Sequence, residues 1–181
     1  MCDYFAFSAK YIVDKKVEVD KERFISIIKE NQRLIYKVCY TYCKNSELRK
    51  DLEQEIFEQL WKSLPRYDGR TKLSTWIYQV ALNTAFLFYR KDARHRANRV
   101  TIDDAVLTLA DSSRNSEMEE KVAMLHSFIR NLDELDKALM LLYLDKNRYR
   151  DIAEILGISE TNVATKISRI KDRLREYFNK H

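Results

Sequence analysis

The sequence predicts an all-α fold: two small helical domains joined by a flexible linker, the C-terminal one containing a helix-turn-helix. The chain has only two glycines and one proline in 181 residues, whereas β-sandwiches, barrels and glycine-looped nucleotide folds need frequent turn residues. Apolar residues recur every three or four positions along most of the chain, which is the helical period. The longest apolar run, residues 138–144, is far shorter than the roughly 20 residues that cross a bilayer. We therefore predict no membrane insertion.

The N-terminal half contains three predicted helices. The first covers residues 24–43 and the second residues 47–64, where leucine or isoleucine stands at every fourth position. The only proline and one glycine then fall in residues 65–71, which predicts a loop. The third helix is predicted to begin near Ser74, a favourable N-cap residue, and to end near Arg90.

The composition changes after the third helix. Residues 99–116 contain short apolar doublets, acids and a Ser/Asn-rich end, a pattern typical of a tether. The predicted organisation is an N-terminal extension (1–20), a first domain (21–96), a linker (97–118) and a second domain (119–181).

The strongest local signal is a helix-turn-helix over residues 150–170. Gly157 supplies a left-handed C′ position, and Ser159 can cap the helix that follows. Apolar residues at 163, 167, 170 and 174 bury one side of that helix. The opposite side then carries polar and basic residues that a DNA major groove accepts: Thr161, Asn162, Thr165, Lys166 and Arg169. An ordinary helical hairpin with a solvated basic face is the alternative interpretation.

Charge and cysteine content narrow the class of protein. The net charge is +5 and the pI is about 9.0, and residues 160–181 hold six Lys/Arg against three acids. That cluster suits a polyanionic partner. Three cysteines are too few for a disulfide framework, so we expect reduced thiols in a cytosol. Cys39 and Cys43 are expected to be buried small hydrophobes rather than half of a metal site.

The second predicted helix carries an acidic side opposite its leucines. Residues 47–58 contain five acids and two bases. A face for a basic protein partner is one interpretation, and a merely solvated face is the other. A catalytic carboxylate pair is disfavoured because no His, Cys or metal-ligand partner lies nearby in the pattern. We predict no enzyme activity, no cofactor and no metal.

Aromatic and basic residues interleave around the predicted loop. Residues 57–89 hold eight of the 21 aromatic residues, and Trp76, Asn83 and Arg90 are seven apart on one helical face. Aromatic rings beside cations hold unstacked single-stranded bases in many proteins. The alternative is that these rings are core, which we favour for Tyr78 and Phe88; for Trp76 both interpretations stay open.

Residues 51–61, residues 66–85 and the helix-turn-helix, in this order and at this spacing, resemble a bacterial RNA polymerase sigma factor of the extracytoplasmic-function (ECF) group. The resemblance extends over residues 24–178. It implies two domains, one that melts the promoter −10 element and one that reads the −35 element. It further implies three sets of binding residues. Docking on core polymerase is implied for Asp51, Gln54, Glu55 and Glu58. Binding of the −10 element is implied for Asp68, Gly69, Arg70, Thr71, Lys72, Ser74, Thr75, Trp76, Asn83 and Arg90. Binding of the −35 element is implied for Thr161, Asn162, Ala164, Thr165, Lys166, Ser168, Arg169 and Lys171, with the two lysines near phosphates.

The resemblance implies a cytoplasmic specificity factor whose partners are core RNA polymerase, promoter DNA and an anti-sigma factor. One alternative is a helix-turn-helix regulator that binds duplex DNA without joining polymerase. Another is a helical adaptor that makes no DNA contact, which would show no steep fall of DNA affinity with salt.

Overall fold

The structure, a computed structural model, describes residues 21–43, 45–97 and 117–180. All regular structure in these ranges is helical, as predicted. The predicted extension (1–20) and nearly all of the predicted linker lie outside the described residues. The helices are α1 (Lys21–Tyr42), α2 (Ser46–Ser63), a 3₁₀ turn (Leu64–Arg66), α3 (Leu73–Ala97), α4 (Glu117–Arg130), α5 (Glu134–Leu144), α6 (Tyr149–Leu156) and α7 (Glu160–Lys180). Over the described ranges, none of these helices combines the length and apolarity needed to cross a membrane.

The described residues divide into two compact units, with the boundary between Ala85 and Phe86. This confirms the prediction of two small helical domains. Helix α3 begins in the first unit and ends in the second. The predicted domain boundaries at residues 96 and 119 stay predictions.

The core of the first unit lies where α1 packs against α2. Along α1 the residues Ile28, Ile35 and Val38 are at most 1% exposed, because their spacing puts them on one helical face. The matching stripe of α2, Leu52, Ile56 and Leu60, is equally buried. Ile77, Ala81 and Leu82 of α3 are buried as well. Each buried Leu or Ile side chain stabilises the unit by about 1.5–3 kcal/mol relative to exposure.

The two cysteines of the first unit are part of this core. Cys39 and Cys43 are buried and unbridged, which confirms the prediction that they behave as small hydrophobes. Burial, with a smaller contribution from the carboxylate of Glu53, raises the pKa of the Cys39 thiol to about 12. The thiol is therefore protonated at neutral pH.

The start of α3 corrects one prediction. The helix begins at Leu73, and the backbone N–H of Trp76 donates to the carbonyl of Lys72 at 3.0 Å. Ser74 therefore lies inside the first turn and is not the N-cap. The helix also continues seven residues beyond Arg90, to Ala97.

The second unit is built from the packing of α7 against α4, α5 and α6. Its fully buried side chains include Leu139, Leu142 and Ile152. Along α6, Ile152 and Ile155 are buried, whereas Ala153 and Leu156 are half-buried. Ile152 and Ile155 are three residues apart and therefore share the inward face of this helix.

The turn between α6 and α7 has the predicted geometry. Gly157 is left-handed, with φ 66° and ψ 32°, and its N–H and that of Ile158 both donate to the carbonyl of Ala153. The hydroxyl of Ser159 accepts the N–H of Asn162 at 3.2 Å. Ser159 thus caps α7 as predicted.

Replacing Gly157 by alanine is expected to lower the free energy of unfolding of the second unit by about 1–2 kcal/mol, because L-residues are strained at positive φ. A Cβ at this position would meet nothing within 4 Å, so the cost is conformational rather than steric. Urea unfolding followed by circular dichroism measures it. Gly157→Asn is the control and should lose less, since asparagine tolerates this conformation; equal stability of Gly157→Ala and the natural protein would contradict the prediction.

Candidate functional site

The acidic surface lies on α2 and consists of Asp51, Gln54, Glu55 and Glu58. These residues are spaced three and four apart, so they share one helical face opposite the buried leucine stripe. Asp51, Gln54 and Glu58 are exposed, and Glu55 is half-buried. The carboxylate of Glu58 also pairs with Lys62 one turn later, in a contact open to solvent. All four predicted residues are therefore brought together on one surface.

Glu53, another acid in this helix, does not join the acidic surface. It is half-buried on the opposite side, and desolvation raises the pKa of its carboxyl above the ordinary value. The five acids counted along residues 47–58 therefore outnumber the three acids of the acidic surface, Asp51, Glu55 and Glu58.

The loop before α3, residues 67–72, has a preset shape. The hydroxyl of Tyr67 donates to the carbonyl of Thr71 at 2.6 Å and closes the loop. Within it, Asp68 accepts the backbone N–H of Arg70 at 3.0 Å and pairs with the Arg70 guanidinium at 3.1 Å. Gly69 has a φ of 75°, a value that favours glycine. Asp68, Gly69 and Arg70 are exposed at the tip.

Tyr67 is a structural part of this loop that no sequence motif indicated. Its ring lies against Trp76, with centroids 5.1 Å apart, so Trp76 is half-buried and joins the loop to α3. Half-burial leaves both interpretations of Trp76 open.

The predicted residues of α3 fall on different faces. Ser74 and Asn83 are exposed, as is Arg90 two turns beyond Asn83. Thr75 was assigned to the DNA-binding set, but it is only 4% exposed. It shares the inward face with Tyr78 and Leu82, three and seven residues later, so its side chain is unavailable for a DNA contact. This corrects the sequence-based assignment of Thr75.

Helix α7 carries the predicted −35 residues, and five of them are exposed: Thr161, Asn162, Thr165, Ser168 and Arg169. Ala164 is half-buried. The hydroxyl of Thr165 donates to the carbonyl of Thr161 at 2.9 Å. That bond leaves the lone pairs and the methyl group of Thr165 for an external partner.

The two predicted phosphate-binding lysines are half-buried and already have partners in the second unit. The Lys166 ammonium lies 3.3 Å from a carboxylate oxygen of Asp136. The Lys171 ammonium donates to the Tyr143 hydroxyl at 2.7 Å. Both contacts join α7 to α5, and no sequence pattern indicated them because the partners are about 30 residues apart.

Comparison with known proteins places both halves of the chain in one family. Residues 27–95 match the family described as Sigma-70 region 2, and residues 123–174 match Sigma-70, region 4. Together the matched segments cover more than half of the chain.

Two relatives from Bacillus subtilis (strain 168) are similar to this chain over most of their own length. The ECF RNA polymerase sigma factor SigM is 28% identical over 149 residues, which cover 81% of this chain and 89% of SigM. The ECF RNA polymerase sigma factor SigW is 27% identical over 176 residues, covering 87% and 89% of the two chains.

The fold is shared with a solved structure, the sigma factor RpoE from Bartonella quintana, which was crystallised with the anti-sigma factor NepR. The TM-score is 0.65 at 17% identity, with 90% of this chain and 98% of RpoE covered. The two family regions occur in the order that the sequence motifs indicated. The chain belongs to the ECF group of the sigma-70 family of RNA polymerase sigma factors.

Proposed function

We propose that this chain binds core RNA polymerase and directs it to promoters, reading and melting the −10 element with the first unit and reading the −35 element with α7. The observation that supports this proposal most directly is that two candidate DNA-binding surfaces occur on one chain, each within its own sigma-70 region. One is the loop at residues 67–72, which the Tyr67 hydrogen bond closes, and the other is the exposed face of α7. The chain then acts as a cytoplasmic specificity factor and has no reaction of its own to catalyse.

The acidic surface is the proposed docking face for polymerase. Asp51, Gln54 and Glu58 stand exposed on one side of α2, and carboxylates on a rigid helix are suited to a basic partner because complementary charge fixes both orientation and register. Glu58 keeps its charge largely available, because its pair with Lys62 is open to solvent and contributes little.

The loop at residues 67–72 is the proposed capture site for a base of the −10 element. Extruding a base costs a few kcal/mol of unstacking, and stacking on a protein ring returns about 1–3 kcal/mol per base. A loop whose shape is already set by Tyr67 and Asp68 loses little entropy when the base enters. Opening of the duplex can then begin without ATP.

The helix-turn-helix is the proposed reader of the −35 element. The capped end of α7 presents Thr165 and Arg169 on the exposed side, four residues apart and therefore on one face. Arginine can donate two hydrogen bonds to guanine in the major groove. Two DNA readers on one chain gain affinity from effective concentration.

An anti-sigma factor is a further proposed partner. The solved relative RpoE is described in complex with the anti-sigma factor NepR, and the similar protein CnrH in complex with the cytosolic domain of CnrY. A protein of that kind is expected to hold this chain away from polymerase until its signal arrives.

Run-off transcription with core polymerase on genomic fragments tests the proposed function. Adding the chain should produce discrete transcripts from a subset of fragments. Binding to duplex DNA without transcripts and without co-purification with core polymerase would identify a regulator instead.

Replacing Arg169 by alanine is expected to lower discrimination between a matched and a scrambled −35 element by about 1–3 kcal/mol, because a base-reading contact is lost. Thr165→Ala should have a smaller effect. Fluorescence-anisotropy titration of the holoenzyme on both DNAs measures the difference. Arg175→Ala removes an exposed cation of the same helix and should leave discrimination unchanged; an equal loss in both variants would contradict the assignment of Arg169.

A further inference from the structure

A buried carboxylate connects α5 to the recognition helix. Asp136 is 6% exposed, and its two oxygens face two cations of α7. Oδ1 lies 3.3 Å from the ammonium of Lys166, and Oδ2 lies 3.3 Å from Nη1 of Arg173. Both oxygens of the buried acid are thus occupied by basic side chains that stand 30 and 37 residues later in the chain.

The position of Asp136 within α5 holds its carboxylate in place. It lies in the first turn of the helix, and its backbone N–H donates to the side chain of the N-cap residue Asp133 at 2.8 Å. An acid in a first turn is stabilised by the helix dipole. A buried carboxylate also requires cationic partners, because an unpaired buried charge is strongly destabilising.

The two paired cations belong to a stripe of α7 that also carries a predicted base-reading residue. Lys166, Arg169 and Arg173 follow each other at spacings of three and four, so they lie along one side of the helix. Arg169, in the middle, is exposed, and neither contact with Asp136 involves it. The carboxylate therefore pairs with the outer two cations of the stripe, of which Lys166 is half-buried and Arg173 is exposed, and makes no contact with the middle one.

We propose that Asp136 is a specificity-determining residue that withholds Lys166 and Arg173 from the DNA phosphates. The inference rests on the proposed function, since it takes α7 to face DNA. It reverses the sequence-based expectation that Lys166 contributes a phosphate contact.

The physical consequence concerns binding that is independent of sequence. Each cation that neutralises a phosphate releases condensed counterions and steepens the dependence of log affinity on log salt by about 0.9. Such contacts strengthen binding to every DNA sequence equally and carry no sequence information. With these two cations paired to Asp136, α7 binds random DNA less tightly, and the base contacts account for a larger share of its affinity.

The test is the salt dependence of binding to a random-sequence duplex by the holoenzyme. Asp136→Asn removes the charge and keeps the shape, so it should steepen the slope by about 1–2 and tighten binding severalfold at about 50 mM salt. Asp172→Asn is the matched control, since it makes the same charge change on α7. Asp172 pairs with Arg175, and both side chains are more than half exposed, so its removal should change the slope by much less. Equal slopes for the two variants would overturn the inference.

Two further variants complete the test. One applies if Asp136→Asn fails to fold, and the other shows whether the proposed function itself fails. If Asp136→Asn loses helicity by circular dichroism, Arg173→Gln decides: an unchanged slope supports the inference, and a fall of about 0.9 overturns it. Arg169→Gln should lower discrimination between a matched and a scrambled −35 element; no change there would place α7 away from the −35 element and overturn the proposed function instead. If the chain does not join core polymerase, the same titrations are made with the full chain alone.

Discussion

Replacing Asp51 and Glu55 together by arginine is expected to abolish binding to core polymerase, with affinity falling about 100-fold or more. The two residues lie one turn apart on the acidic surface, and reversing both charges turns attraction to a basic partner into repulsion, which costs several kcal/mol at an interface. Neither side chain belongs to the buried leucine stripe, so α2 should remain folded. Size-exclusion co-elution and a fluorescence titration with labelled core polymerase measure the effect.

A second double variant controls for net charge. Glu30 on α1 and Glu176 on α7 are exposed, and replacing both by arginine changes the charge of the chain by the same amount. This variant should bind polymerase normally. A folded Asp51→Arg, Glu55→Arg protein that keeps its affinity would refute the assignment of the acidic surface.

Replacing Asn83 by alanine, or Asp68 by alanine, is expected to impair opening of the promoter while core binding is retained. The exposed amide of Asn83 can hydrogen-bond an extruded base, and the loss of such a contact costs about 1–3 kcal/mol, or about 5- to 150-fold in open complex. Asp68 acts through the loop, because its carboxylate holds both the backbone and the guanidinium of Arg70. Permanganate reactivity of promoter thymines reports the opening directly.

A template with a pre-melted −10 bubble distinguishes this role from others. The bubble already supplies the unstacking free energy, so it should restore much of the lost transcription. Gln32→Ala is the matched amide control, since Gln32 is exposed on α1, and it should transcribe normally from both templates. Equal defects on duplex and bubble templates would mean that Asn83 serves another step.

The helix-turn-helix could be predicted closely from sequence because its determinants are local. A glycine at a left-handed position, a capping serine two residues later and isoleucines at helical spacing act within about 20 residues of one another. The acidic surface was predictable for the same reason, since residues three and four apart on a helix share a face whatever surrounds them.

The wrong predictions have a local cause, because neighbouring positions compete for the helix start and for the buried face. The missed contacts have a different cause, because they join residues that are distant in sequence. Ser74 has the right chemistry for a cap, yet the helix begins one residue earlier, at Leu73. Thr75 is polar, but it stands at an inward-facing position of α3, so packing buries its side chain. The link from Asp136 to Lys166 joins residues 30 positions apart, and single-sequence periodicity contains no information about such pairs.

The buried thiol of Cys39 makes the first unit open to a kinetic measurement. Burial raises the pKa of this thiol to about 12, so it is almost entirely protonated at neutral pH, and the sulfur reacts only after the surrounding helices separate. Pulsed alkylation followed by mass spectrometry would therefore time the opening of the α1–α2 pair in the otherwise unmodified chain. The same pulse applied in the presence of polymerase would report how far docking slows that opening.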